Sequence, residues 1–405
     1  MKEGRSNPSF FISMINEQTR QFIRQHRYDD VSKLALHTKT NGELNIQQAI
    51  TQIDAWQIAR KKIPSWAKLD DIIYPQHISM EQCSSETTAL YKATLAQGDT
   101  LVDLTAGLGV DFSFMAPQFK YAHYVEQQQT LCRIAEHNFS ILGLNNTTVN
   151  CMTAEEFLQR TPHVSCIFID PSRRDARGSK TIRIEDCKPD ISKLLPQLTE
   201  KADNVIVKLS PMLDITAAIN DLKIAQEIHV VAVDNECKEL LIVINSANRP
   251  SEPTVKCVNI GSKHPTFNFQ LSTEHSATWH LADNVETYLY EPNAAIMKAA
   301  PFKLLSQRYN LKKLAPNSHL YTSDNLIPFP GRTFHVEAVS GFSKKELKAF
   351  LSGLTKANLA VRNFPSSAEE LKKKLKLKDG GDTYIFATSL LGGDKVLIKT
   401  NKVED

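Results

Sequence analysis

Leu101-Val-Asp-Leu-Thr-Ala-Gly-Leu-Gly-Val-Asp111 is the stretch from which the fold can be read. Thr100 to Thr105 is a short apolar run of strand character, and it ends in a turn holding Gly107 and Gly109. The spacing predicts a strand, a tight turn and then a helix. Glycines at such a turn let the backbone approach a ligand without a Cβ in the way. The N–H groups at the following helix start can hold an anionic group. Asp103, Thr105, Ala106, Gly107 and Gly109 are therefore candidate residues of a nucleoside-cofactor loop. The third glycine of the dinucleotide fingerprint is missing, because Phe112 stands in its place.

The chain beyond the loop alternates between strands and helices. Tyr121–Glu126 predicts a second strand, Leu131–Leu142 a helix stopped by Gly143, and Thr147–Met152 a third strand. Cys166–Asp170 and Asn204–Leu209 predict a fourth and a fifth. Strands separated by helices of this length imply a parallel sheet covered on both faces. Glu227–Val233 and Glu239–Ile244 break that rhythm, with only Asp234–Lys238 between them. The connection is too short for a parallel crossover, so an antiparallel hairpin is expected. A parallel sheet finished by one antiparallel strand is the shape of class I methyltransferases, and it points to S-adenosyl-L-methionine as the nucleoside cofactor. Glu126, followed by Gln127, ends the second strand, where a carboxylate can accept hydrogen bonds from ribose hydroxyls. Thr153, Ala154 and Glu155 follow the third strand, where an adenine amino group would be held; helix capping would equally account for them.

Reacting groups in such sheets collect outside the carboxyl ends of the strands. Asp170, Pro171, Ser172 and Arg173 end the fourth strand, and Asp170 can bind or orient an attacking group. Arg173, Arg174, Arg177 and Lys180 form a basic loop at the same place, readable as phosphate contacts or as a solvated turn. Lys208, at the end of the fifth strand, is expected to line the same pocket.

Residues 1 to about 90 contain no strand pattern. Apolar spacing predicts helices over Glu17–Leu36 and Ile46–Ala59, the second closed by Pro64, and another over Ser84–Leu95. The charge is near balance at +3, so the whole-molecule field does not announce a nucleic-acid partner. No apolar run reaches the ~18 residues of a membrane span, and the amino terminus has no signal-peptide pattern. Seven cysteines without a close pair suggest neither a zinc site nor a disulfide framework. A cytoplasmic protein without a resident metal is expected.

Asp103–Gly109, Asp170-Pro-Ser-Arg-Arg174 and Val233-Asp-Asn-Glu-Cys-Lys238 together resemble the bacterial class I methyltransferases with a C-terminal THUMP-like domain. Gln82-Cys-Ser-Ser-Glu86 is similar to that family's upstream helix motif, which implies that Gln82 and Ser85 approach the cofactor. Tyr288-Leu-Tyr-Glu-Pro292 resembles its small ferredoxin-like domain, and the chain from about residue 333 its THUMP-like domain. The resemblance implies a Rossmann-like catalytic sheet, S-adenosyl-L-methionine and an RNA substrate. Asp170-Pro-Ser-Arg departs from the Asp-Pro-Pro-Tyr motif of amino-directed methyltransferases, since Arg173 replaces the aromatic residue that would stack on a base. The expected organisation is a helical region at 1–95, the methyltransferase domain at 96–250, the ferredoxin-like domain at 251–332 and the THUMP-like domain at 333–405.

The last domain carries its own charge signal. Lys344, Lys345, Lys372, Lys373 and Lys374 lie in a lysine-rich stretch opposed by few acids. Such a patch suits a phosphate backbone, or simply a solvated helix face. Helices are expected over Ala294–Tyr309, Ser343–Thr355 and Ser366–Leu375. Methylation of a protein or small molecule, or a catalytically silent binder, are the alternatives to an RNA methyltransferase.

Overall fold

The computed structural model describes residues 15–37, 43–172, 187–222, 224–248 and 250–403. The chain forms two compact units, Met1–Gln226 with Leu240–Ser251, and Glu227–Glu239 with Glu252–Asp405.

In the first unit the sheet is built from β1 (Thr100–Asp103), β2 (Tyr121–Glu126), β3 (Thr147–Cys151), β4 (Val164–Ile169) and β5 (Ala202–Leu209). They lie in the order β3-β2-β1-β4-β5, all parallel. Val205, Ile206 and Val207 are consecutive and fully buried, as in a strand covered on both faces. Next in the chain is β6 (Glu227–Val233), in the second unit, and then β7 (Glu236–Asn245). Leu240–Asn245 of β7 runs antiparallel to β5, from Leu209↔Leu240 to Asn204↔Asn245. This is the expected antiparallel strand beside the parallel five, although it does not end the sheet. The connection from β6 to β7 is two residues rather than the five expected, because Asp234 and Asn235 both take positive φ (49° and 64°). Asp and Asn tolerate that conformation, and two such residues make the tight turn of a hairpin.

The loop after β1 is packed from beneath and from outside. Phe112, Tyr124 and Phe139 form a buried aromatic cluster with ring centroids 5.0–5.7 Å apart. Phe112 thus uses the position of the missing glycine for core. Outside, helix Ile46–Lys62 buries Ala55, Trp56 and Ala59 in a cluster that also contains Leu108 and Val110 of the loop. The side chain of Asn138 clamps the backbone of Ile73, accepting from its N–H at 2.9 Å and donating to its carbonyl at 2.8 Å.

Two expected helices are divided. Glu17–His26 and Val31–His37 replace one long helix, with Asp30 Oδ1 accepting from Ser32 N and Lys33 N at the second start. Ala294–Ala299 and Phe302–Tyr309 replace another, because Pro301 cannot donate and Ala300 before it sits at φ 60°. Serine caps set where others start: Ser85 caps Glu86–Ala93, Ser343 caps Lys344–Phe350 and Ser367 caps Ala368–Leu375.

In the second unit β6 pairs in parallel with β8 (Thr254–Ile260), and β9 (Thr266–Gln270) runs antiparallel to β8. An eight-stranded sheet follows. Its strands are β10 (His280–Leu281), β11 (Tyr288–Pro292), β12 (Lys312–Lys313), β13 (Tyr321–Ser323), β14 (Gly331–Ser340), β15 (Asn358–Val361), β16 (Thr383–Ser389) and β17 (Lys395–Lys402). The order is β10-β12-β13-β11-β14-β17-β16-β15. Glu291 of β11 is 3% exposed, and its carboxylate binds both Arg332 of β14 and Arg362 beyond β15. On β6, Glu227 Oε2 sits 2.9 Å from His229 Nε2 and 2.7 Å from Lys256 Nζ.

Candidate active site

The order of the first sheet reverses at β1, which lies between β2 and β4. Ligands bind at such a switch point, beyond the carboxyl ends of the strands. A cleft of about 480 Å³ opens there. Its wall includes Gln82, Asp103, Thr105, Ala106, Gly107, Asp170, Pro171, Ser172 and Lys208, all expected from the sequence. Ser84, from the upstream motif, and Asp111, from the end of the quoted loop, also line it, and so does Gln128, which was not anticipated.

The loop is held by its own backbone. Ala106 N donates to Val125 O at 3.0 Å, and Gly109 N to Ala106 O at 2.8 Å. Gly107 and Gly109 have φ of 56° and 83°. A Cβ on Gly109 would stand 2.8 Å from Phe139 Cζ, whereas one on Gly107 would meet nothing nearer than Thr105 O at 4.0 Å. Gly109 is needed for packing and Gly107 leaves room.

Asp103 is 1% exposed and accepts from Thr105 N at 3.1 Å. Burial, with the like charges of Asp111 and Asp170, pushes its carboxyl well above the usual carboxylate range. Glu126 is buried outside the cleft wall, and its two oxygens accept from Gly107 N (3.1 Å) and Gln128 N (2.8 Å). Each carboxylate oxygen keeps a second lone pair for a ligand. Gln127 and Glu155 are exposed, and Ala154 is buried. Thr153 caps helix Ala154–Arg160 in a reciprocal pair with Glu156. Ser85 is likewise a helix cap, and its neighbour Ser84 reaches the cleft.

The far wall joins two strand ends. Asp170 N donates to Thr105 Oγ1 at 2.7 Å. Lys208 Nζ lies 2.6 Å from Asp170 Oδ2 and 3.7 Å from Asp111 Oδ2. Behind them Lys92, fully buried, stands 3.1 Å from Asp111 Oδ1, and Ser84 Oγ donates to Asp111 Oδ2 at 2.7 Å. Burial pushes the Asp111 carboxyl up, but Lys92, Lys208 and Ser84 outweigh it and hold it below the usual range. Lys92 escaped the sequence because one lysine in an amphipathic helix reads as solvated; its flanking Ala89 and Ala93 were the available signal. Arg173, Arg174 and Arg177 lie outside the described residues.

In the second unit Lys344, Lys345, Lys373 and Lys374 are exposed, Lys374 with its Nζ 5.7 Å from the centre of the Phe342 ring, and Lys372 pairs with Asp379. Among the described residues no group of three or more His, Cys, Asp or Glu could hold a metal ion, and no helix is long and apolar enough to cross a membrane.

Residues 288–330 match a ferredoxin-like domain, and residues 331–402 a THUMP-like domain. A candidate methyltransferase of Porphyromonas gingivalis W83 is 32% identical, with a TM-score of 0.85 over 96% of this chain and 98% of that one. The chain belongs to this family: class I methyltransferases with a ferredoxin-like and a THUMP-like domain. Beyond it the similarity is loose. An rRNA methylase of Streptococcus thermophilus is 13% identical over 39% of this chain and 93% of its own, with a TM-score of 0.29. TrmK of M. capricolum, solved with S-adenosyl-homocysteine, is 14% identical over 40% of this chain and 68% of its own, with a TM-score of 0.31. No curated protein matches. A mostly parallel sheet with an antiparallel strand beside β5 is the fold expected from the sequence.

Proposed function

We propose that this protein transfers a methyl group from S-adenosyl-L-methionine to RNA in the cleft beyond β1 and β4. The observation that carries this is the convergence of the glycine loop and the Asp170-Pro171-Ser172 strand end on one polar cleft. The residues suit the cofactor: open space over Gly107, a buried carboxylate at Asp103 for an ammonium, and spare lone pairs on Glu126 for ribose hydroxyls. When bound, the cofactor supplies an electrophilic methyl on sulfur. The protein's share is then to hold the acceptor in line and place charge correctly. Asp170, with Pro171, Ser172 and Arg173, is the acceptor side. Arg174, Arg177 and the exposed lysines Lys344, Lys345, Lys373 and Lys374 recruit the phosphate backbone, which supports RNA over an uncharged small molecule.

The test is incubation of labelled cofactor with RNA from a strain lacking this gene, followed by nucleoside analysis. Label in one modified nucleoside is expected, with cofactor binding lost in Gly107→Asp and weakened in Glu126→Ala. Absence of cofactor binding by the wild type overturns the proposal. Label transferred to a protein extract and not to RNA removes the RNA half and leaves methyl transfer.

A further inference from the structure

Lys92, Asp111, Lys208 and Asp170 form a line of alternating charge from the core to the cleft, with contacts of 3.1, 3.7 and 2.6 Å. Lys92 is fully buried, and the side chains of Lys208 and Asp111 are 13% and 11% exposed. Burying such charges carries a desolvation cost that apolar residues of similar volume would avoid, so stability alone is a poor reason for the line. Its outer end is the informative part. Asp170 Oδ2 is held by Lys208 and the Asp170 backbone by Thr105, whereas Oδ1 has no hydrogen bond among the described residues.

We infer that Lys208, backed by Asp111 and Lys92, is a positioning residue that pins Asp170 Oδ2 and so presents Oδ1 to the proton of the methyl acceptor. This rests on the methyl-transfer reading of the cleft. The chemistry it fits is an acceptor nitrogen or oxygen that carries its own hydrogen. The acceptor gains the methyl as the carbon–sulfur bond breaks, and that bond's electron pair returns to sulfur. The acceptor's N–H or O–H proton passes to Asp170 Oδ1 and then to solvent. Lys208 moves no proton; it fixes the carboxylate's rotation. Asp111 sets where the ammonium sits, and Lys92 with Ser84 fixes Asp111. An atom without a hydrogen to give, such as N7 of guanine, gains nothing from this arrangement, and neither does a ring carbon.

The experiment compares wild type with Lys208→Met, Lys208→Arg and the double variant Lys92→Met/Asp111→Asn. The double variant removes both partners and avoids stranding one buried charge. Calorimetry gives cofactor affinity, urea unfolding reports folding, and RNA from the strain lacking this gene is the methyl acceptor. Lys208→Met is expected to lose about 100-fold in turnover, the scale of a misplaced reacting group. Cofactor affinity stays within about threefold, since uniform binding is untouched. Lys208→Arg restores part of the rate, because its charge survives but its planar geometry differs. The double variant folds and loses about tenfold through a displaced Lys208. Wild-type turnover in Lys208→Met overturns this inference alone, as does a methyl product on N7 of guanine or on carbon. A wild type that neither binds cofactor nor transfers methyl overturns the underlying proposal together with it.

Discussion

Asp170 N and Thr105 Oγ1 lie 2.7 Å apart, a hydrogen bond that ties the strand end after β4 to the loop after β1. The two segments are 65 residues apart in sequence, and β1 and β4 are parallel neighbours. Thr105→Val keeps the shape and strands the Asp170 N–H. A loss of about 1–3 kcal/mol in urea unfolding is expected. Methyl transfer should fall more than cofactor affinity, with Thr105→Ser close to wild type. Unchanged stability and turnover in Thr105→Val would show that the bond does not matter.

The two loop glycines should fail differently. Gly109→Ala drives a Cβ to 2.8 Å from Phe139 Cζ, at a φ of 83°, so it should destabilise strongly. Gly107→Ala meets open space and bears only the strain of φ 56°, about 1–2 kcal/mol. Its methyl projects where the cofactor is proposed to lie, so affinity should fall out of proportion to stability. Thermal unfolding and calorimetry on both variants separate the two effects.

How much of this was legible beforehand follows from particular residues. The order of strands, the loop and Asp170 could be read because apolar runs and turn glycines leave local marks. The division at Ala300-Pro301 was also written locally, but helix periodicity on either side obscured it. Lys92 and Asp111 could not be read in the same way. Their meaning depends on a contact between a helix before β1 and another after it, and no local pattern distinguishes a buried lysine from a solvated one. Glu126 shows the opposite case: its place was expected, yet its bonds to Gly107 N and Gln128 N depend on the loop's final path.

Asp103 offers a solution test of the cofactor's charge. Burial raises its carboxyl well above the usual carboxylate range, which favours the protonated form in the free protein more than in water. A bound ammonium favours the charged form, so binding should release a proton. Calorimetry in buffers of different ionisation enthalpy measures this directly, and the release should fade as pH rises above the free protein's raised value. Asp103→Asn should abolish the buffer dependence. A wild type with none would remove Asp103 from the ammonium site.

Acid should weaken the second unit through Glu227. The hydrogen bond from His229, with the Lys256 ammonium, holds its carboxyl down to about 2, against burial. A carboxyl depressed on folding contributes stability above its ordinary value of 4.5, and that contribution is lost as pH falls from there toward about 2. Glu227→Gln should flatten the stability profile across that window and leave the site untouched. An unchanged slope, measured by urea unfolding at stepped pH, would assign the acid sensitivity elsewhere.

The course of the chain between the two units bears on how the protein can be synthesised or cut. It leaves the first unit after Gln226, returns at Leu240 and leaves again after Ser251. While the chain emerges from a ribosome, β5 has no neighbour beyond it until Leu240–Asn245 arrives, and an open strand edge invites pairing with other chains. A nick between β6 and β7 would detach that covering strand from the residues before it. Neither unit is one continuous stretch of sequence, so shortening the chain from its carboxyl end cannot remove the whole second unit and leave the first complete.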